Sequence, residues 1–216
     1  MGVHIEAFLL YLIIFFSQSL LGELTAKGNI ETIAFSIPML IFSILIYCVP
    51  SLFLIWFLLY RKKRAEYRLK KPKINDLYSG LTALPALLLT GLLIGIISAI
   101  TGSVPTEPQI ASPSSPSGWM ILCVYCLFSA YLEESYFRFY LLSKKEELNL
   151  TVPFALIISA LLFGICHIYE GFWGFLNALI AGLLLGGIFL KYKTIHGIAA
   201  AHALYNITAF VLYSFH

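Results

Sequence analysis

Apolar stretches of membrane-crossing length recur along the whole chain, with short polar gaps between them. A helix needs about 20 mainly apolar residues to cross the hydrocarbon core of a bilayer. Seven stretches read as spans, at residues 5–21, 33–60, 77–100, 119–142, 153–168, 172–190 and 195–215. The first lacks a basic leader and an obvious small-residue cleavage site, so it reads as a span and not a signal peptide. The second is long enough to bend near Pro38 and Pro50, and the fifth is short. Hydrophobic residues make up 60% of the 216 positions and charged residues 12%. An ordinary soluble domain carries about 25% charged residues, and a soluble fold of this size could not hide so much apolar surface. A soluble enzyme, a disordered protein and a nucleic-acid binder are therefore excluded. The expected fold is all-α, a polytopic transmembrane bundle of about seven spans.

The placement of charge orients the spans. Eight of the 14 Lys and Arg lie between Arg61 and Lys73, in the gap after the second span. Lys144, Lys145, Lys191 and Lys193 fall in later gaps of the same parity, whereas the gap at 101–118 has no Lys or Arg and is rich in Pro and Ser. Cytoplasmic loops carry the excess of Lys and Arg, so the N-terminus is expected in the cytoplasm and 101–118 outside. The basic gap can also meet anionic lipid headgroups. Trp56, Trp119, Trp173 and Tyr192 fall near expected interfaces, as an aromatic belt requires. Cys48, Cys123, Cys126 and Cys166 all lie in apolar stretches and read as packing residues, not as a disulfide framework.

Polar residues interrupt the last four spans. The fourth carries Glu133, Glu134 and Arg138, the fifth ends with Phe163 and His167, and the seventh carries His202 and Asn206. A charge in mid-membrane costs at least about 2.5–3.5 kcal/mol on insertion scales. Glu134 and Arg138 are four apart with Glu first, so they share a face and can pair. Glu133 is turned about 100° away and stays unpaired within its helix. His202 and Asn206 share a face, as do Phe163 and His167, which sets an aromatic wall beside the imidazole.

This set of groups can hydrolyse a peptide bond. Glu133 can act as general base toward water, and His167 can hold that water or share its proton. His202 and Asn206 can donate to a developing oxyanion. No Ser or Cys is clearly placed as a nucleophile. Simpler readings stand beside these roles: Glu134–Arg138 as a structural ion pair, His167 as an interfacial residue, and His202 and Asn206 as interhelical hydrogen-bond glue. Depth is the open point. At about 1.5 Å per residue, Glu133, His167 and His202 lie roughly 15, 21 and 11 Å from the cytoplasmic ends of their spans. The helices must tilt or start at different depths for these groups to meet.

EExxxR (Glu133, Glu134, Arg138), FxxxH (Phe163, His167) and HxxxN (His202, Asn206) follow in order on successive spans. This pattern resembles the CPBP family of CAAX proteases and bacteriocin-processing enzymes, also called Abi, which includes the type II CAAX prenyl endopeptidases. The resemblance covers roughly residues 119–216. It implies an intramembrane endopeptidase of glutamate or metal-dependent type. Glu133 and His167 would activate water, His202 and Asn206 would form the oxyanion site, and Glu134, Arg138 and Phe163 would support them. No HExxH signature is present, and no cofactor is required, although Glu133, His167 and His202 could make a three-ligand zinc site.

The expected organisation is residues 1–118 as N-terminal spans, with the basic loop 61–73 and the external loop 101–118, and residues 119–216 as the catalytic core. The expected partners are a membrane-anchored peptide or protein substrate and the lipid bilayer, with no nucleic acid. The expected location is a bacterial cytoplasmic membrane. An ion- or proton-coupled transporter and a noncatalytic scaffold or immunity protein are the alternative readings. Against the transporter, no internal repeat is visible.

Overall fold

The structure is a computed structural model that describes residues 2–17, 32–33, 35–61, 71–102, 109–110 and 113–213. Expectations for 62–70 of the basic loop, for 103–108 and 111–112 of the external gap and for the far ends of the first and last spans lie outside these residues.

Among the described residues the chain forms seven helices: α1 (Val3–Phe16), α2 (Ile37–Tyr60), α3 (Ile74–Ile100), α4 (Pro116–Ser143), α5 (Val152–Ile165), α6 (Ile168–Tyr192) and α7 (His196–Tyr213). α2, α3, α4 and α6 are long and apolar enough to cross a membrane, and α1 and α5 are apolar but shorter. The fold is an all-α membrane bundle. Its one strand pairing among the described residues is a two-residue parallel bridge, Thr32–Ile33 to Gln109–Ile110, which joins the gaps before α2 and α4.

Local sequence explains how the helices start and where they widen. α2 and α4 each begin with a serine whose hydroxyl accepts a backbone N–H, Ser36 from Met39 and Ser115 from Gly118, with proline in the first turn. Pro38 therefore starts α2 and does not bend it. Pro50 cannot donate to the carbonyl four residues back, and the turn before it, Ser43–Cys48, is widened to a π-helix. A second π segment, Ser135–Tyr140, follows the two glutamates of α4, and all six of its residues are buried.

Packing draws the last four helices together. α7 lies against α3 and α4, and α6 against α3 and α5. Ser159 of α5 donates to the Phe137 carbonyl of α4 at 2.7 Å. Gly182 of α6 sits against Ala160, where a Cβ would come within 2.9 Å of the Ala160 Cα, so the small residue permits that approach. α1 crosses this group, held by Tyr136 Oη to the Ala7 carbonyl (2.8 Å) and Tyr11 Oη to the Leu162 carbonyl (3.1 Å). Rings of Tyr11, Phe15, Tyr136, Phe137 and Phe163 fill the centre. Outward-facing Phe53, Leu81 and Leu92 are exposed, a surface suited to lipid and not to water.

Two polar joints fasten the helix ends that border the basic gaps. Glu6 meets Arg61 at the end of α2 and Lys144 just past α4. Asp76, in the first turn of α3, accepts the Lys73 N–H at 2.7 Å, the Thr194 hydroxyl and the Gly197 N–H. Gly197 approaches Asp76 so closely that a Cβ there would overlap the Asp76 carbonyl. All four cysteines are free, and Cys48, Cys126 and Cys166 are buried.

Candidate functional site

α4 carries the acidic half of the site. Glu134 and Arg138 are both fully buried, with Arg138 Nε 3.2 Å from Glu134 Oε2. That distance pairs the charges, but the guanidinium lies off the hydrogen-bond axis, and Nε, Nη1 and Nη2 make no hydrogen bond. Its flat face lies instead over Phe163, 4.5 Å from the ring centroid, a cation–π contact that offsets part of the burial penalty. Glu133 is turned toward a different neighbour. Its Oε1 accepts the Ser129 hydroxyl at 3.0 Å, while its Oε2 is buried and without a hydrogen-bond partner.

α7 brings His202 against both carboxylates. Nδ1 is 2.9 Å from Glu134 Oε1, and Nε2 is 3.6 Å from Glu133 Oε2. A carboxylate accepts, so Nδ1 carries a proton toward Glu134. Asn206 lies one turn further on the same face and is half-buried. Its carboxamide makes no hydrogen bond to the described residues, which leaves its N–H groups available.

α5 supplies Phe163 and, just past its last turn, His167. The His167 Nδ1 is 2.9 Å from the Phe163 carbonyl. A carbonyl can only accept, so Nδ1 carries a proton and Nε2 is the ring nitrogen left to face other groups. Phe163 stands between the two imidazoles, edge-on to His167 at 4.7 Å and to His202 at 5.9 Å.

Glu133, Glu134, Arg138, Phe163 and His202 form one cluster, and His167 joins it through Phe163. His167 makes no ion pair or hydrogen bond with Glu133. The zinc set Glu133, His167 and His202 does not assemble: among the described residues no three His, Cys, Asp or Glu side chains are grouped to hold a metal ion. The Phe163 ring separates the two imidazoles, and each Nδ1 is already committed.

Several polar residues escaped the sequence reading. Ser129 shares a helix face with Glu133, one turn away, and that spacing could have flagged it. Trp56 was assigned to an interface belt, yet its indole N–H donates to Ser135 of α4 at 3.1 Å. His196 Nδ1 meets the Tyr131 hydroxyl at 2.9 Å. Asn177 of α6 donates to the Tyr205 hydroxyl at 3.0 Å.

Comparison with known proteins bears on this cluster. No curated protein and no solved structure matches the chain. Residues 115–208 match the family described as type II CAAX prenyl endopeptidase, Rce1-like, and that stretch contains every residue of the cluster together with Asn206. Residues 115–208 are thus similar to the Rce1-like type II CAAX prenyl endopeptidases, a family of membrane proteases, over somewhat less than half of the chain.

Proposed function

We propose that the chain is an intramembrane endopeptidase that hydrolyses a peptide bond of a membrane-anchored protein or peptide, with residues 119–216 as its catalytic core. One observation carries the reading: a buried carboxylate oxygen, Glu133 Oε2, has no hydrogen-bond partner and faces His202 Nε2 at 3.6 Å. A buried acceptor left unsatisfied is expensive, and a water molecule held for reaction would satisfy it.

In this mechanism Glu133 takes a proton from water while His167 Nε2 accepts the second O–H and holds it in line. The hydroxide attacks the scissile carbonyl carbon. Asn206 Nδ2 and the His202 Nε2–H donate to the oxyanion. Glu133 then returns its proton to the departing amine, and the C–N bond breaks. With His202 as imidazolium, the charges of Glu133, Glu134, Arg138 and His202 sum to zero, the arrangement a dry site favours. Glu134 serves two partners at once, drawing Arg138 and fixing the His202 ring.

The family supports a peptide carrying a prenylated CAAX terminus as the first substrate to try. Purified protein in liposomes should cleave a quenched-fluorescent farnesylated CAAX peptide, and the Glu133→Gln variant should not. Ion flux through wild-type liposomes without cleavage would favour a transporter, and neither flux nor cleavage would favour a scaffold. For a bacterial cytoplasmic membrane with the N-terminus inside, Ser115→Cys should label from outside and Lys71→Cys from the cytoplasm. Labelling of both from one face would overturn that orientation.

A further inference from the structure

We infer that Ser129 is the positioning residue for Glu133, holding one carboxylate oxygen so that the other is left for the reacting water. The inference rests on the reading of Glu133 as general base. Four helical hydroxyls of this chain show the local bond that Ser129 does not make. Ser17, Thr82, Thr90 and Thr208 each donate back to the carbonyl four residues earlier, at 2.7–2.8 Å. This is the ordinary local bond of a helical Ser or Thr. Ser129 instead donates forward, to Glu133 Oε1 at 3.0 Å. The (i, i+4) spacing puts both side chains on one face, and the forward bond gives Oε1 its partner.

The consequence falls on the second oxygen. A carboxylate with two free oxygens can rotate and present either one. With Oε1 held by Ser129, the carboxyl plane is fixed and Oε2 faces His202 Nε2 at 3.6 Å, buried and unpartnered. A hydroxyl donor also keeps the carboxylate as an acceptor, the state a general base needs. Ser129 touches neither the water nor the peptide in this scheme and acts only through Glu133.

The test uses the purified full-length chain in liposomes and the farnesylated CAAX peptide. Ser129→Ala should lower kcat on the order of 10-fold, the worth of a hydrogen bond to a charged group, with KM within about two-fold. Ser129→Thr, which keeps the hydroxyl, should recover most of kcat. In the Glu133→Gln background Ser129→Ala should change nothing further, because its target is gone. Wild-type kcat in Ser129→Ala, a Thr variant as slow as the Ala variant, or an added loss in the Glu133→Gln background would each overturn the inference. If Glu133→Gln is inactive and Ser129→Ala is normal, the positioning role alone fails. If Glu133→Gln keeps its turnover, the general-base reading fails and takes the positioning role with it.

Discussion

Two polar clusters of this chain, one around Glu6 and one around Glu133 and Glu134, are treated in opposite ways. Glu6, at the start of α1, is fully satisfied. Its Oε1 accepts the Tyr140 hydroxyl and the Lys144 ammonium, each at 2.7 Å, and its Oε2 accepts from Arg61 at 2.8 Å. Lys144 is wholly buried there, with the Tyr140 ring 4.3 Å from its ammonium. The mid-bundle cluster is the reverse. Glu133 Oε2, Glu134 Oε2 and all three guanidinium nitrogens of Arg138 lack hydrogen bonds. A saturated cluster joins three helix ends and offers nothing to a substrate. An unsaturated one holds donors and acceptors ready for groups that arrive later. On the proposed reading, hydrogen-bond satisfaction separates a structural polar site from a reactive one when burial and charge look alike.

The comparison can be broken at several points. The largest expected effect is on turnover. Asn206→Ala should lower kcat roughly 10²–10³-fold, the worth of one oxyanion donor, with little change in folded yield. If yield falls and specific activity holds, Asn206 is helix-packing glue and the oxyanion role is wrong.

Next comes the buried pair. Glu134→Ala or Arg138→Ala leaves a lone charge and should destabilise the fold by about 3–5 kcal/mol. The double variant should recover part of that loss in detergent-extracted monomer, since no lone charge remains. A double variant that folds worse than both singles would show that the two do not neutralise each other. The smallest effect is expected from chelation. Because the site holds no three-ligand set, a strong chelator should leave turnover within about two-fold, the scatter expected when no ligand set of the usual kind is disrupted. Loss of activity restored by added zinc would contradict the metal-free scheme.

The sequence disclosed what lies within one helix. Glu134 with Arg138 and Phe163 with His167 are (i, i+4) neighbours, and both pairs meet as that spacing requires. Contacts between helices were out of reach. Glu6 finds Lys144 across 138 positions, and His202 finds Glu134 across 68. No periodicity announces either. His202 was grouped with Asn206 for the oxyanion, and its bond to Glu134 adds an orienting partner that helix geometry alone could not supply. The depth mismatch arose from counting residues along straight helices. Counting ignores the non-helical backbone at His167 and the widened turn Ser135–Tyr140. That turn carries no proline, so nothing in the residue types marks it.

The account stands or falls on a matched pair of substitutions of the same kind, Glu133→Gln and Glu6→Gln. Each would be purified and read for both specific activity and melting temperature. The account predicts a crossed result. Glu133→Gln should lose at least about 10²-fold in turnover, the usual worth of a general base, with its melting temperature unchanged. Glu6→Gln should melt several degrees lower, because Lys144 loses its buried counter-charge, and each folded molecule should still cleave at the wild-type rate. A Glu133→Gln protein that cleaves normally, or a Glu6→Gln protein that melts normally but cannot cleave, would contradict it.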